Sequence, residues 1–153
     1  MIGRPPAVSW TPTRAHVRTR PHTPAPHPAW KGALVSASVL VIEDDLATAR
    51  LIRTVLEAEG YAIRLAVGAA GLALALSAPP TLILLDVHMP DMDGPEVSRR
   101  LRADPTTAAI PIVGMSAVAA TATAATGMDA DAWLAKPFTL EALLSTLAPW
   151  APL

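Results

Sequence analysis

Short apolar runs alternate with stretches of helical periodicity from residue 38 onward. The runs at 39–42 and 82–85 are almost wholly aliphatic, which is typical of strands buried on both faces of a sheet. Between them, apolar side chains from Leu51 to Leu56 recur at helical spacing, and Gly60 ends that helix. Over the whole chain the pattern predicts strands at 39–42, 61–67, 81–85, 111–115 and 132–135, and helices at 46–59, 68–77, 95–103, 117–126 and 140–147.

This alternation predicts an α/β fold with a doubly wound five-stranded parallel sheet and helices on both faces, joined by right-handed crossovers. In such a sheet the carboxyl ends of the strands lie along one edge, where ligands bind. We therefore expect the polar residues at the strand ends to meet there. They are Glu43, Asp44 and Asp45 after the first strand, Asp86 after the third, Ser116 after the fourth and Lys136 after the fifth.

The residue types at this edge suit phosphoryl chemistry. Neighbouring carboxylates repel one another, so an acidic pocket needs a cation, and oxygen ligands favour Mg²⁺. Asp86 offers a carboxylate nucleophile for a phosphoryl group. Ser116 can donate a hydrogen bond to a phosphoryl oxygen, and Lys136 supplies a compact positive charge. Positioning and electrostatics dominate such transfers, which leaves the protein little covalent work.

Four segments resemble, in this order, the motif set of the receiver domains of two-component response regulators. They are Glu43-Asp44, the stretch from Leu84 to Gly94 around Asp86, Met115-Ser116-Ala117, and Lys136-Pro137-Phe138. Each segment is a weak signal alone, but the four together are highly specific, and the resemblance covers about residues 37–149. It implies a flavodoxin-like fold and a cytoplasmic phosphoacceptor signalling protein rather than an enzyme.

The resemblance also implies the roles of the acidic residues. Asp86 would accept phosphate from the phosphohistidine of a histidine kinase or phosphotransfer protein, forming an acyl phosphate. Asp44 would bind Mg²⁺ directly and Glu43 through water, with Asp86 and the backbone carbonyl of His88 completing the metal site. The side chains of His88 and Val118 lie where the family tunes dephosphorylation.

The switch residues follow from the same resemblance. Ser116 would be the hydroxyl that moves toward the phosphoryl group, which Lys136 would also contact. Trp133 occupies the switch aromatic position, although ordinary packing also accounts for a Trp there. The Lys136–Pro137 bond is expected to be cis, because only X–Pro bonds readily are.

Three further acids fit structural roles better than ligand roles. Asp45 precedes a predicted helix, and acids favour a helix N-terminus. Asp91 and Asp93 lie in the loop before Gly94, where we predict that they form turns.

Composition separates residues 1–36 from the rest of the chain. The 153 residues include no Cys, which excludes disulfides, a Cys zinc site and thiol catalysis. Residues 1–36 carry 7 of the 16 prolines and a charge of +5, so we expect a disordered extension. Residues 37–153 carry −6, and we expect them to form a receiver domain that does not contact nucleic acid. No apolar run is long enough to span a membrane, and no secretory signal is present.

The extension at 1–36 has several interpretations. It is a basic arm for an acidic partner, nucleic acid or a membrane, a dispensable extension, or the result of a start codon assigned too far upstream. A mitochondrial transit peptide fits less well, because the prolines would break an amphipathic helix.

The chain departs from the family pattern between the fourth and fifth strands. The stretch from Ser116 to Gly127 is shorter than usual by about one helical turn, and the stretch from Gly127 to Trp133 is longer by about two residues. In the family this region belongs to the face that reads out phosphorylation. The choice of downstream partner is therefore open.

Three functions compete. Because nothing follows Leu153, we expect a stand-alone receiver that signals to an unidentified downstream protein by protein–protein contact or phosphorelay. The alternative is a degenerate receiver that binds its partner independently of phosphorylation. A haloacid-dehalogenase-like phosphatase is disfavoured, because Asp86-Val87-His88 lacks the second acid of an Asp-x-Asp motif. A nucleotide-binding protein is disfavoured as well, because no glycine-rich nucleotide-binding motif is present.

Overall fold

The computed structural model describes residues 37–117 and 127–152. The elements, in chain order, are β1 (Ser38–Ile42), α1 (Leu46–Ala58), β2 (Ala62–Ala66), α2 (Gly68–Ser77), β3 (Leu82–Asp86), α3 (Gly94–Ala103), β4 (Ile112–Ser116), β5 (Ala132–Ala135) and α4 (Leu140–Leu147). The predictions of disorder at 1–36 and of a helix at 117–126 lie outside the described residues, apart from Ala117 at the start of that helix, which is not helical.

The five strands form one sheet in the order β2-β1-β3-β4-β5, and every neighbouring pair is parallel. The predicted doubly wound parallel sheet is confirmed, and the strand ends differ from the predicted ones by at most one residue. That one residue matters at the carboxyl edge, where Asp86 and Ser116 are the last residues of β3 and β4. Both side chains are therefore held by strand backbone and not by a loop.

Helices cover both sides of the sheet in the described part of the chain. On one side, α1 and α4 pack on alternate strand residues such as Val41 and Leu84. On the other side, α2 and α3 pack on the intervening residues, such as Ile42 and Leu85. All five residues of β3 are buried, because β3 lies at the centre of the sheet and both of its faces are covered.

Local sequence signals set the ends of the helices. Asp45 caps α1, as predicted, by accepting a hydrogen bond from the amide of Thr48 at 2.9 Å. Gly60, just past α1, has a φ of 95°, which glycine adopts without strain. Asp93 caps α3 by accepting from the amide of Glu96 at 3.0 Å. Among the helices of the described residues, none combines the length and apolar character that crossing a membrane would require.

Met128 fills the core in the region where the chain departs from the receiver pattern. Its side chain is fully buried on the side of the sheet that α2 and α3 cover. A Cβ built on Gly94 would lie 2.9 Å from the Met128 sulfur, and one on Gly114 would clash with its terminal methyl group. Two glycines, at the start of α3 and in β4, thus leave room for this side chain.

We predict that Met128→Ala destabilises the protein by about 2–5 kcal/mol, because it opens a cavity in a close-packed core. Urea unfolding followed by circular dichroism measures the change. Leu51→Ala is the matched control: Leu51 is 57% exposed, and the expected loss is below about 0.5 kcal/mol. Equal losses for the two variants would contradict the packing role of Met128.

Candidate functional site

Three carboxylates meet at the carboxyl edge of the sheet. One oxygen each of Glu43, Asp44 and Asp86 lies within 4.8 Å of the others. The pairing of β1 with β3 explains why, since Ile42 is paired with Leu85 and the residues that follow are brought side by side. The structure therefore brings together the three acids that the sequence suggested as metal ligands.

Lys136 reaches two of these carboxylates from the far edge strand. Its Nζ lies 2.9 Å from Oδ1 of Asp86 and 2.5 Å from Oε2 of Glu43. Because β4 separates β5 from β3, the side chain extends across one whole strand. Three carboxylates and one ammonium leave the cluster with a formal charge of −2.

Burial and hydrogen bonding shift the pKa values of Glu43 and Lys136 in this cluster. The side chains of Glu43, Asp86 and Lys136 are 1%, 9% and 23% exposed, whereas Asp44 is exposed. Burial raises the pKa of Glu43, and the hydrogen bond from Lys136 offsets this only in part. Burial lowers the pKa of Lys136, but hydrogen bonds to Glu43 and Asp86 outweigh it, so the pKa lies above its ordinary value. Lys136 is therefore a permanent cation at neutral pH.

The donor set fits a hard divalent cation. Mg²⁺ prefers oxygen ligands and is commonly held by one or two carboxylates together with phosphate oxygens. Glu43, Asp44 and Asp86 offer such oxygens at close range, and the uncompensated negative charge favours a cation. Asp44 is the exposed member of the three, so the cluster is open to solvent on its side.

Ser116 and Trp133 lie beside the acidic cluster. Ser116 is buried and follows Met115, the residue of β4 that is paired with Asp86. The carbonyl of Ser116 accepts a hydrogen bond from the amide of Lys136 at 2.8 Å, which joins the ends of β4 and β5. Trp133 is half-buried and paired with Gly114, where an added Cβ would lie 2.5 Å from its ring. The absence of a side chain at 114 thus makes room for the indole.

The remaining site predictions concern loops. The Lys136–Pro137 peptide bond is cis. The side chain of His88 is exposed in the loop at 87–93 that joins β3 to α3, called the β3–α3 loop below. Gly94 donates from its amide to the carbonyl of Val87 at 2.9 Å, which closes this loop at its base. Val118 lies outside the described residues.

The sequence reasoning missed one contact near the site. Asp91 lies in the β3–α3 loop, as expected for a turn residue, but its carboxylate accepts a hydrogen bond from the amide of Ala69 in α2 at 3.1 Å. A hint was present at the other end of the contact, because Val67, the residue that precedes α2, cannot supply a capping side chain. Met128 and Gly114 were also not predicted as neighbours of Trp133.

Comparison with known proteins gives one consistent result. Residues 39–148 match the family model described as the response regulator receiver domain. The chain is 41% identical over 110 residues to the DNA-binding dual master transcriptional regulator RpaA of Synechocystis sp., covering 70% of this chain and 46% of that protein. It is 42% identical over 106 residues to the response regulator PleD of Caulobacter vibrioides, covering 67% and 23%. The chain thus spans less than half the length of these two curated relatives.

Solved structures agree with the sequence matches. The chemotaxis response regulator CheY4 of Vibrio cholerae superposes with a TM-score of 0.71 at 29% identity, over 75% of this chain and 98% of that one. The receiver domain of the sensor histidine kinase PA1611 from Pseudomonas aeruginosa, with a magnesium ion coordinated in its active-site cleft, gives 0.71 at 25% identity, over 76% and 98%. This chain belongs to the response regulator receiver family, whose members are phosphoacceptor signalling domains.

Proposed function

We propose that this protein is a phosphorylation-dependent switch in which Asp86 accepts a phosphoryl group from the phosphohistidine of a histidine kinase or phosphotransfer protein. The observation that carries the proposal is the position of Asp86, which lies beside Glu43 and Asp44 and is bound by the Nζ of Lys136 at 2.9 Å. Carboxylates alone would repel an incoming phosphoryl group, so the cation in contact with Asp86 is essential to the chemistry.

The contacts of Asp86 suggest how the transfer proceeds. Lys136 holds Oδ1, which leaves Oδ2 to form the new oxygen–phosphorus bond. The phosphorus–nitrogen bond of the donor breaks, and its electron pair stays on the imidazole nitrogen. Glu43, Asp44, Asp86 and the carbonyl of His88 would hold Mg²⁺, which when bound offsets the negative charge on the transferring group. Before the transfer, Lys136 also binds Glu43, its second carboxylate partner.

Two exposed leucines flank the open side of the site. Leu46 begins α1 and is 62% exposed, and Leu140 begins α4 and is 53% exposed. Both helices begin at the carboxyl edge of the sheet, the edge at which a phosphodonor must approach Asp86. Because both side chains are exposed at this edge, we propose that they contribute to the donor interface.

The response would pass through Ser116 and Trp133. Phosphorylation adds about −1.5 to −2 charges, which the Ser116 hydroxyl and the Lys136 ammonium can bind if the ends of β4 and β5 adjust. These ends are already joined by the backbone hydrogen bond between Lys136 and Ser116. Trp133 lies on β5 three residues before Lys136, so such an adjustment would move its ring relative to Gly114.

The proposal includes signalling by this receiver domain through protein contact rather than through nucleic acid. Its support is the acidic charge of residues 37–153, which disfavours contact with nucleic acid.

We predict that acetyl phosphate with Mg²⁺ adds one phosphoryl group to the protein, and that Asp86→Asn abolishes the addition because the amide is not a nucleophile. Intact-mass spectrometry measures both. Asp104→Asn removes a carboxylate of the same kind far from the site and should be phosphorylated like the wild type. An unmodified wild-type protein would refute the proposed function.

The chain departs from the receiver pattern around Met128, which favours a second candidate, a receiver whose partner binds regardless of phosphorylation. Equal partner affinity for the wild type and Asp86→Asn, in the presence of the phosphodonor, would support it. A loss of affinity in Asp86→Asn alone would support the switch.

We also predict that beryllofluoride with Mg²⁺ changes the tryptophan fluorescence, because it mimics the phosphoryl group and the indole of Trp133 repacks. Trp133→Phe should remove most of the change, and Trp150→Phe, which alters a Trp packed on the α1 and α4 side, should keep it. The signals of Trp10 and Trp30 are common to all three proteins. Identical responses from Trp133→Phe and the wild type would exclude Trp133 as the responding residue.

A further inference from the structure

Asp91 connects the β3–α3 loop to a helix that has no cap of its own. The residue that precedes α2, Val67, makes no side-chain capping bond, and the first turn of α2 contains no acid. The Asp91 carboxylate supplies the missing acceptor, since its Oδ2 binds the amide of Ala69 at 3.1 Å from 22 residues away in sequence. A carboxylate also suits the positive end of the helix dipole.

The space around this contact is shaped for it. Gly68 has a φ of +42°, and a Cβ at that position would overlap the Asp91 carboxylate. One turn further along, a Cβ on Gly71 would lie 2.7 Å from the side chain of Ile42. The start of α2 therefore rests directly on the last residue of β1, which immediately precedes Glu43.

The order of the strands places the contact between Asp91 and Ala69 next to the end of β1. Because β1 lies between β2 and β3, the bond from Asp91 to α2 passes over the carboxyl end of β1. The β3–α3 loop is also held at its base, where the amide of Gly94 binds the carbonyl of Val87, and at its far end, where Asp93 caps α3. Val87 and Met89 anchor it further by packing in the core. Among the side-chain hydrogen bonds of the described residues, the Asp91 contact is the one that joins this loop to α2, which rests on the end of β1 just before Glu43 and Asp44.

We propose that Asp91 is a positioning residue for the metal site: its carboxylate, bound to α2, holds the β3–α3 loop so that the carbonyl of His88 faces the carboxylates of Glu43 and Asp44. The inference rests on the proposed function, since it concerns the cation that function requires. Asp91 itself does not touch the reacting atoms.

Linkage distinguishes this role from that of an ordinary helix cap. If the contact between Asp91 and Ala69 favours Mg²⁺ binding, Mg²⁺ must favour the contact by the same factor. Hydrogen exchange of the Ala69 amide should therefore slow when Mg²⁺ is added to the wild type. A cap that only stabilises α2 would leave that exchange rate independent of Mg²⁺.

The test is a Mg²⁺ titration by calorimetry on the full chain and its variants, without any phosphodonor. Asp91→Ala should weaken Mg²⁺ binding on the order of 10-fold, the lower end of the range for groups that orient metal ligands. Asp91→Asn keeps an oxygen acceptor for the amide and should recover most of the affinity. Asp104→Ala removes a carboxylate that binds the amide of Thr106 at 2.8 Å away from the site, and should leave the affinity unchanged.

Gly68→Ala tests the same contact from the other side, because the added methyl group must displace the Asp91 carboxylate. It should weaken Mg²⁺ binding in the wild type and have little further effect in Asp91→Ala. Wild-type affinity in Asp91→Ala, or Mg²⁺-independent exchange at Ala69, overturns this inference and leaves the proposed function intact. A wild type that binds no Mg²⁺ overturns both.

Discussion

The ammonium of Lys136 is the group on which the site depends. It contacts the two buried carboxylates, Glu43 and Asp86, that the sheet brings together, and without it they would be like charges in a poorly solvated place. Its own pKa is raised by those contacts, so the ammonium stays charged at neutral pH. Buried ion pairs are weak sources of stability. The arrangement is better explained by the proposed chemistry, in which Asp86 is the nucleophile and Lys136 is the charge that the incoming group needs.

Parallel strand pairing brings the members of this cluster to one edge of the sheet. β1, β3 and β5 all end at one edge, and the fully buried β3 places Asp86 on rigid strand backbone. Helices on the two sides exclude water from the sheet but leave Asp44 exposed. The result is a site in which the carboxylates of Glu43 and Asp86 are buried and Asp44 forms an exposed side, and charges interact more strongly where they are buried than in bulk water.

Much of this could be predicted from the sequence. Alternating apolar runs specify the sheet, because burial on both faces demands them, and the polar residues that end the runs must meet at one edge. Contacts between elements distant in sequence could not be derived in the same way. Asp91 carries the local signal of a turn residue, and nothing in its neighbours indicates that α2 lies within reach. The same holds for Met128, whose partners Gly94 and Gly114 belong to two other elements.

Gly114 in β4 limits the substitutions that its neighbours can accept. Gly114 and Trp133 face each other across two paired strands, and the indole occupies the space that a side chain at 114 would fill. Positions 114, 128 and 133 are therefore constrained together, because the terminal methyl group of Met128 fills the rest of that space. A larger residue at 114 would require both Trp133 and Met128 to move, so the resting position of the proposed switch residue is set from neighbouring elements and can shift without any change at Asp86.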